Sequence, residues 1–121
     1  MERNWEIVRK ILIQLEQLGD TRSSLDPDQV TGFDPETVIY HMKIMDEAGL
    51  IEARCTRSTS GLYCFAVRLT WAGHEFLDGI RDQQLWNRVK ATVREKGLSL
   101  SFDVIKTAAN ALIAKILSGT L

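Results

Sequence analysis

Hydrophobic positions recur along this chain with two different periods, and the change of period divides it. Between residues 3 and 18, Trp5, Val8, Leu12, Leu15 and Leu18 fall at three- and four-residue steps, while Ile7, Ile11 and Ile13 broaden the stripe. That spacing predicts a first amphipathic helix with Arg9, Gln14, Glu16 and Gln17 covering the rest and Gly19 as its stop. Asp20 to Phe33 is polar and broken by Pro27 and Gly32, so it holds at most a short strand or one helical turn. A second helix is announced by Asp34-Pro35-Glu36-Thr37, a capping acid ahead of a proline at the first helical position, with Glu36 near the positive end of the dipole. It runs from Val38 to Ala48 and ends at Gly49. At 100° per residue Val38, His41, Met42 and Met45 share the buried side, Glu36, Tyr40, Lys43 and Glu47 lie opposite, and Thr37 and Ile44 form a flank.

After Gly49 the pattern becomes strand-like. Leu50 to Cys55 reads as a strand, Ser58-Thr59-Ser60-Gly61 as a turn, and Leu62 to Leu69 as the returning strand. A lone hairpin is marginal, so it must lean on the helices. Thr70 caps a helix starting at Trp71, with Phe76, Leu77 and Ile80 as its apolar content. Gln83 to Lys96 forms another, faced by Leu85, Trp86, Val89 and Val93 and ended by Gly97. The last begins near Ser101 and ends by Ser118-Gly119, with Leu98, Phe102, Ile105, Ala109, Leu112 and Ile116 falling at steps of four and three as its stripe. Val104, Ala108, Ile113 and Leu117 make that stripe wider than packing on a small domain requires. Trp71 and Trp86 each have a local core to enter.

Helix, polar connector, helix, Gly-Leu-Ile, strand, turn, strand is the layout of a winged helix-turn-helix. The fold expected is α+β, mainly α: one domain over residues 1–121, with a winged-helix-like core at 1–69 and a C-terminal helical extension at 70–121. The chain also resembles the uncharacterised bacterial and phage-associated domain-of-unknown-function family 2513. The matching stretches include Tyr40-His41-x-Lys43, Glu47-Ala48-Gly49-Leu50-Ile51-Glu52, Leu69-Thr70-Trp71-x-Gly73-His74-Glu75-Phe76-Leu77-Asp78 and Gly97-Leu98-Ser99-x-x-Phe102-Asp103-Val104-Ile105-Lys106. The resemblance supports the fold expectation and implies no activity. The hairpin is also similar to the wings of bacterial transcriptional regulators.

Charge sharpens the functional question. The 121 residues carry 15 Lys and Arg against 16 Asp and Glu, a net charge of -1. The balance is -5 over residues 1–48, then +2 over 49–68 and +2 over 69–121. Nucleic-acid binders usually present a basic stripe, and only 54–68 hints at one. If duplex DNA is bound, the contacts expected are Thr37, Tyr40 and Lys43 on the second helix and Arg54, Arg57, Ser58, Ser60 and Arg68 on the wing. Two features oppose direct base readout. The connector leaves little room for the positioning helix of an ordinary regulator, and the row Glu36, Tyr40, Lys43, Glu47 has a net charge of -1.

No enzyme, cofactor or metal site is expected. Phosphate-loop, dinucleotide-glycine and paired-histidine metalloprotease patterns are all missing. His41 sits on a buried helix side as a satisfied neutral imidazole, and His74 is expected to anchor its helix by bonding across the wing. Cys55 and Cys64 are cross-strand neighbours if the turn centres between Thr59 and Ser60. A disulfide or half of a metal site is then open to them, but two buried thiols acting as small apolar residues is the reading preferred. So few cysteines, a polar acidic start and no apolar run near ~20 residues together point to a cytoplasmic, non-membrane protein. The function expected is a non-enzymatic DNA-binding regulator or accessory factor of bacterial or phage type. The alternative is an adaptor whose winged helix and C-terminal helices bind another protein. The extra side of the wide last helix is expected either to pack on the first helix, whose isoleucines also spread beyond one stripe, or to form a homodimer.

Overall fold

The computed structural model describes residues 1–119. Among them lie five α-helices and one two-stranded antiparallel sheet, an α+β, mainly α architecture consistent with a winged-helix-like arrangement. The chain divides into two compact units, one ending at Glu75 and one starting at Phe76.

In the first unit, α1 (Trp5–Glu16) starts where the Asn4 side chain accepts the Glu6 N–H. It buries Trp5, Ile7, Val8, Ile11, Leu12 and Leu15. The helix stops before Gly19 is reached: Gln17 is the cap, its N–H bonded to the Ile13 carbonyl, and Gly19 does not take a left-handed conformation. The polar connector supplies both of the small elements its composition allows. Leu25 pairs with Ala66 through two backbone hydrogen bonds of 2.8 and 2.9 Å, and Pro27–Gln29 form a single 3-10 turn. That turn stands where a positioning helix would be expected.

Helix α2 (Pro35–Glu47) follows the sequence pattern closely. Asp34 caps it through the Thr37 N–H, and Val38, His41, Met42 and Met45 are its buried residues. It ends in a Schellman turn: Gly49 has φ +77°, Gly49 N–H reaches the Asp46 carbonyl, and Leu50 N–H reaches the Met45 carbonyl. The Asp46 carboxylate then accepts the Ala53 N–H at 3.0 Å, tying the helix to the first wing strand.

Strands β1 (Ile51–Ser58) and β2 (Gly61–Leu69) pair from Ser58↔Gly61 at the tip to Ile51↔Leu69 at the base. Their register shifts between Glu52 and Ala53, because Glu52 pairs with Arg68 but Ala53 pairs with Ala66, leaving Val67 as the extra residue of a bulge. The core face holds buried Ile51, Leu69, Ala66 and Cys64, and both α1 and α2 pack on the hairpin.

Cys55 and Cys64 correct the thiol expectation: they are joined as a disulfide, with Cα atoms 4.1 Å apart at directly opposed rungs. The turn centres between Thr59 and Ser60, which is the register that makes them neighbours.

Helix α3 (Trp71–Asp78) begins at Thr70, whose hydroxyl accepts the Gly73 N–H and donates to the Gly49 and Leu50 carbonyls. Trp71 does not enter a core. It is 80% exposed, because the side of α3 turned inward at this turn is the one bearing Gly73. His74 is also exposed and its side chain makes no hydrogen bond with a described residue, so it does not bond across the wing.

In the second unit, α4 (Gln83–Glu95) is capped by Asp82 and α5 (Phe102–Ser118) by Ser101. The two helices pack together around Trp86, Val89, Val93, Ile105 and Ala109, and Phe76 stacks on Phe102 with ring centroids 4.6 Å apart.

Candidate nucleic-acid interface

The alternation of β1 and β2 sorts the wing residues onto two faces. Ile51, Ala53, Cys55 and Arg57 share the core-side face with Leu69, Ala66, Cys64 and Leu62, while Glu52, Arg54, Thr56 and Ser58 share the outer face with Arg68, Phe65, Tyr63 and Gly61. The bulge at Val67 is what carries Arg68 to the outer side. Strict alternation would have grouped it with Ala66 and Cys64.

On the outer face Glu52 lies between two cations. Its carboxylate is 3.9 Å from the Arg54 guanidinium and 4.0 Å from that of Arg68, which also donates to the Leu69 carbonyl at 3.1 Å. All three side chains are well exposed, so these contacts are weak and salt-screened. Beside these charges stand two aromatic rings: Tyr63, 47% exposed, lies 6.4 Å from Phe65 between ring centroids. The Tyr63 hydroxyl donates to Asp26 at 3.1 Å. Partial burial holds that phenol above the ordinary tyrosine value, and its bond to Asp26 together with the charges of Asp26 and Asp28 adds to the rise.

Arg57 lies on the other face, paired with Leu62, and is free of any hydrogen bond or ion pair with described residues. It belongs to the tip, Thr56 to Gly61, which is exposed throughout. Ser58 and Ser60 hold that tip through a 2.9 Å hydroxyl contact and a 3.3 Å bond from the Ser60 N–H to the Ser58 hydroxyl.

On α2, Thr37 is committed to the helix start: its N–H bonds Asp34 and its carbonyl receives a hydrogen bond from His41. Tyr40 is half-buried, its ring edge-on to His41. Lys43 is half-buried and makes no ion pair or hydrogen bond with a described residue. Its outward neighbours Glu36 and Glu47 are exposed acids. His41 itself is fully buried, with Nδ1–H donating to the Thr37 carbonyl at 2.8 Å and Nε2 accepting the Asn4 N–H at 2.8 Å. Burial lowers its pKa below the ordinary value, opposed by the Thr37 carbonyl, so the ring is a neutral structural link.

Of the eight residues expected at a nucleic-acid surface, Arg54 and Arg68 meet on the outer face, Arg57, Ser58 and Ser60 gather at the tip, and Thr37 is occupied locally. Tyr63 and Phe65 were not among the expected contacts. Their signal was the alternation of β2, which places aromatics opposite Thr56 and Arg54. Among the described residues no group of three or more His, Cys, Asp or Glu side chains could hold a metal ion. None of the described helices is long and apolar enough to cross a membrane.

Residues 2–99 match the family model described as "Hypothetical protein (DUF2513)". An "Uncharacterized protein" of Haemophilus influenzae is 48% identical over 118 residues, covering 98% of this chain and 100% of that relative. No solved structure matches the chain.

Proposed function

This chain belongs to the DUF2513 family, and from its wing we propose that it is a non-enzymatic protein that binds duplex nucleic acid, the hairpin tip and its outer face meeting the phosphate backbone. The observation that carries the proposal is the solvent-exposed tip bearing the uncommitted Arg57, with Arg54 and Arg68 exposed on the outer face of the same hairpin. Phosphate contacts position a protein without specifying sequence, and Arg, Ser and backbone N–H groups suit that task. The acidic row on α2 argues for backbone contact by the wing over base readout by the helix. A role in transcriptional regulation is the more specific form of this proposal.

The test is fluorescence anisotropy of a labelled duplex titrated with the protein at two salt concentrations. Affinity that falls steeply with salt supports the proposal, because counterion release accompanies phosphate neutralisation. Absent or salt-independent binding overturns it.

The second reading, an adaptor for another protein, draws on one observation. Trp71 is 80% and Leu117 82% exposed, large apolar side chains that a partner protein could cover. A Trp71→Ser variant that keeps duplex affinity while losing a host-protein partner in a pull-down would favour it.

A further inference from the structure

We propose that the groove between α4 and α5 seats a second copy of this chain in a two-fold pair. The groove has a volume of about 340 Å³ and an almost wholly apolar wall. Its α5 side is formed by Val104, Ala108 and Ala111, which fall at steps of four and three along the helix. They make a second stripe, separate from the buried stripe of Ile105, Ala109 and Leu112. A helix needs only one such stripe to pack within its own unit.

The occupant is identified by self-complementarity. In a two-fold interface the same patch faces itself, so it must carry both halves of every contact. This patch does so twice over. Leu98, 56% exposed at the α4–α5 connection, is a projecting knob, and the small side chains of Ala108 and Ala111 are a floor that can receive one. Lys96 and Asp103 also line the groove, both exposed, and neither forms an ion pair or side-chain hydrogen bond with a described residue. Two-fold pairing sets each Lys96 against the other copy's Asp103, while Leu98 of each copy enters the groove of the other. The apolar contact supplies the attraction, and the exposed charge pairs select orientation and partner more than they add affinity. The patch is small, so the pair is reversible and concentration-dependent. This inference does not depend on the nucleic-acid reading.

The experiment is sedimentation velocity of the full chain over a concentration series. It compares wild type with Lys96→Glu, Asp103→Lys, the double swap K96E/D103K and Leu98→Asp. Wild type is expected to show a monomer–dimer equilibrium. Each single swap sets like charges together and weakens pairing about tenfold or more, the double swap restores it, and Leu98→Asp abolishes it. All three positions lie on the surface, and unchanged circular-dichroism spectra and melting curves verify folding. A wild type that stays monomeric at every concentration overturns the proposal and leaves the groove to a peptide or small apolar ligand. A dimer that both single swaps leave intact overturns it equally.

Discussion

The ring of His41 on α2 accepts the backbone N–H of Asn4 through Nε2 at 2.8 Å, so the residue that caps α1 is held by the helix that leads into the wing. With Nδ1–H given to the Thr37 carbonyl, both ring nitrogens are satisfied only in the neutral tautomer. A proton on Nε2 would confront the Asn4 N–H with a second donor.

The direction of the pH dependence follows. The folded pKa of His41 lies below the ordinary 6.5, so between the two values the unfolded chain binds more protons than the folded one. The contribution is fully present above pH 6.5 and is lost as pH falls through the folded pKa. Urea midpoints measured from about pH 8 down to about pH 5 should decline below 6.5 in wild type, and His41→Leu should flatten that decline. The same variant should cost about 1–3 kcal/mol at neutral pH by leaving the Asn4 N–H without its partner.

Gly73 tells a similar story about the start of α3. A Cβ there would collide with the backbone carbonyl oxygen of Leu50, an atom also bonded by Thr70. Gly73→Ala gains helix propensity, worth about 1 kcal/mol, yet should destabilise the protein by about 2–4 kcal/mol through forced backbone displacement. Gly19→Ala is the control, since nothing lies within 4 Å of its Cβ position. Chemical denaturation should separate the two clearly.

The Cys55–Cys64 bond closes a loop of sequence separation 9. Beneath it, Ala66 is also paired to Leu25, whereas the outer rungs toward the tip have no third strand. Reduction should lower stability by about 2–3 kcal/mol on the loop-entropy account. It should also speed amide exchange most at Thr56 to Tyr63. Mass spectrometry after alkylation should find no modified cysteine before reduction and two afterwards.

Charge changes on the wing test its proposed role more finely than deletion of the wing would. Arg57→Ala should weaken duplex binding at all sequences and reduce the salt slope by about one. Glu52→Gln should strengthen binding by a factor of a few, because it releases both Arg54 and Arg68 from their shared carboxylate. Anisotropy titrations at several salt concentrations measure both effects. A weaker duplex affinity in the Glu52 variant would remove the outer face from the interface.

Much of the first unit was legible from short-range pattern. The Asp34 cap, the four buried residues of α2 and the left-handed Gly49 each depend on neighbours a few residues away, and each appears where the pattern put it. The starts of α4 at Gln83 and of α5 just after Ser101 also lie where the pattern put them. The candidate site was legible only as a set of residues. Its division into an outer face and a tip depends on one extra residue in β2, and Val67 carries no local mark that distinguishes a bulge from a regular rung.

Local chemistry therefore accounts for which segments become helix or strand, because caps, periodicity and turn glycines act within a turn or two of the chain. It could not settle what stands across from what. The oxidised pairing of Cys55 with Cys64, the reversal that sets Arg68 beside Glu52, and the exposure of Trp71 above a glycine pressed onto Leu50 all depend on residues distant along the chain. Such contacts are selected by the packing of whole elements, and that selection leaves no periodic trace in the order of the amino acids.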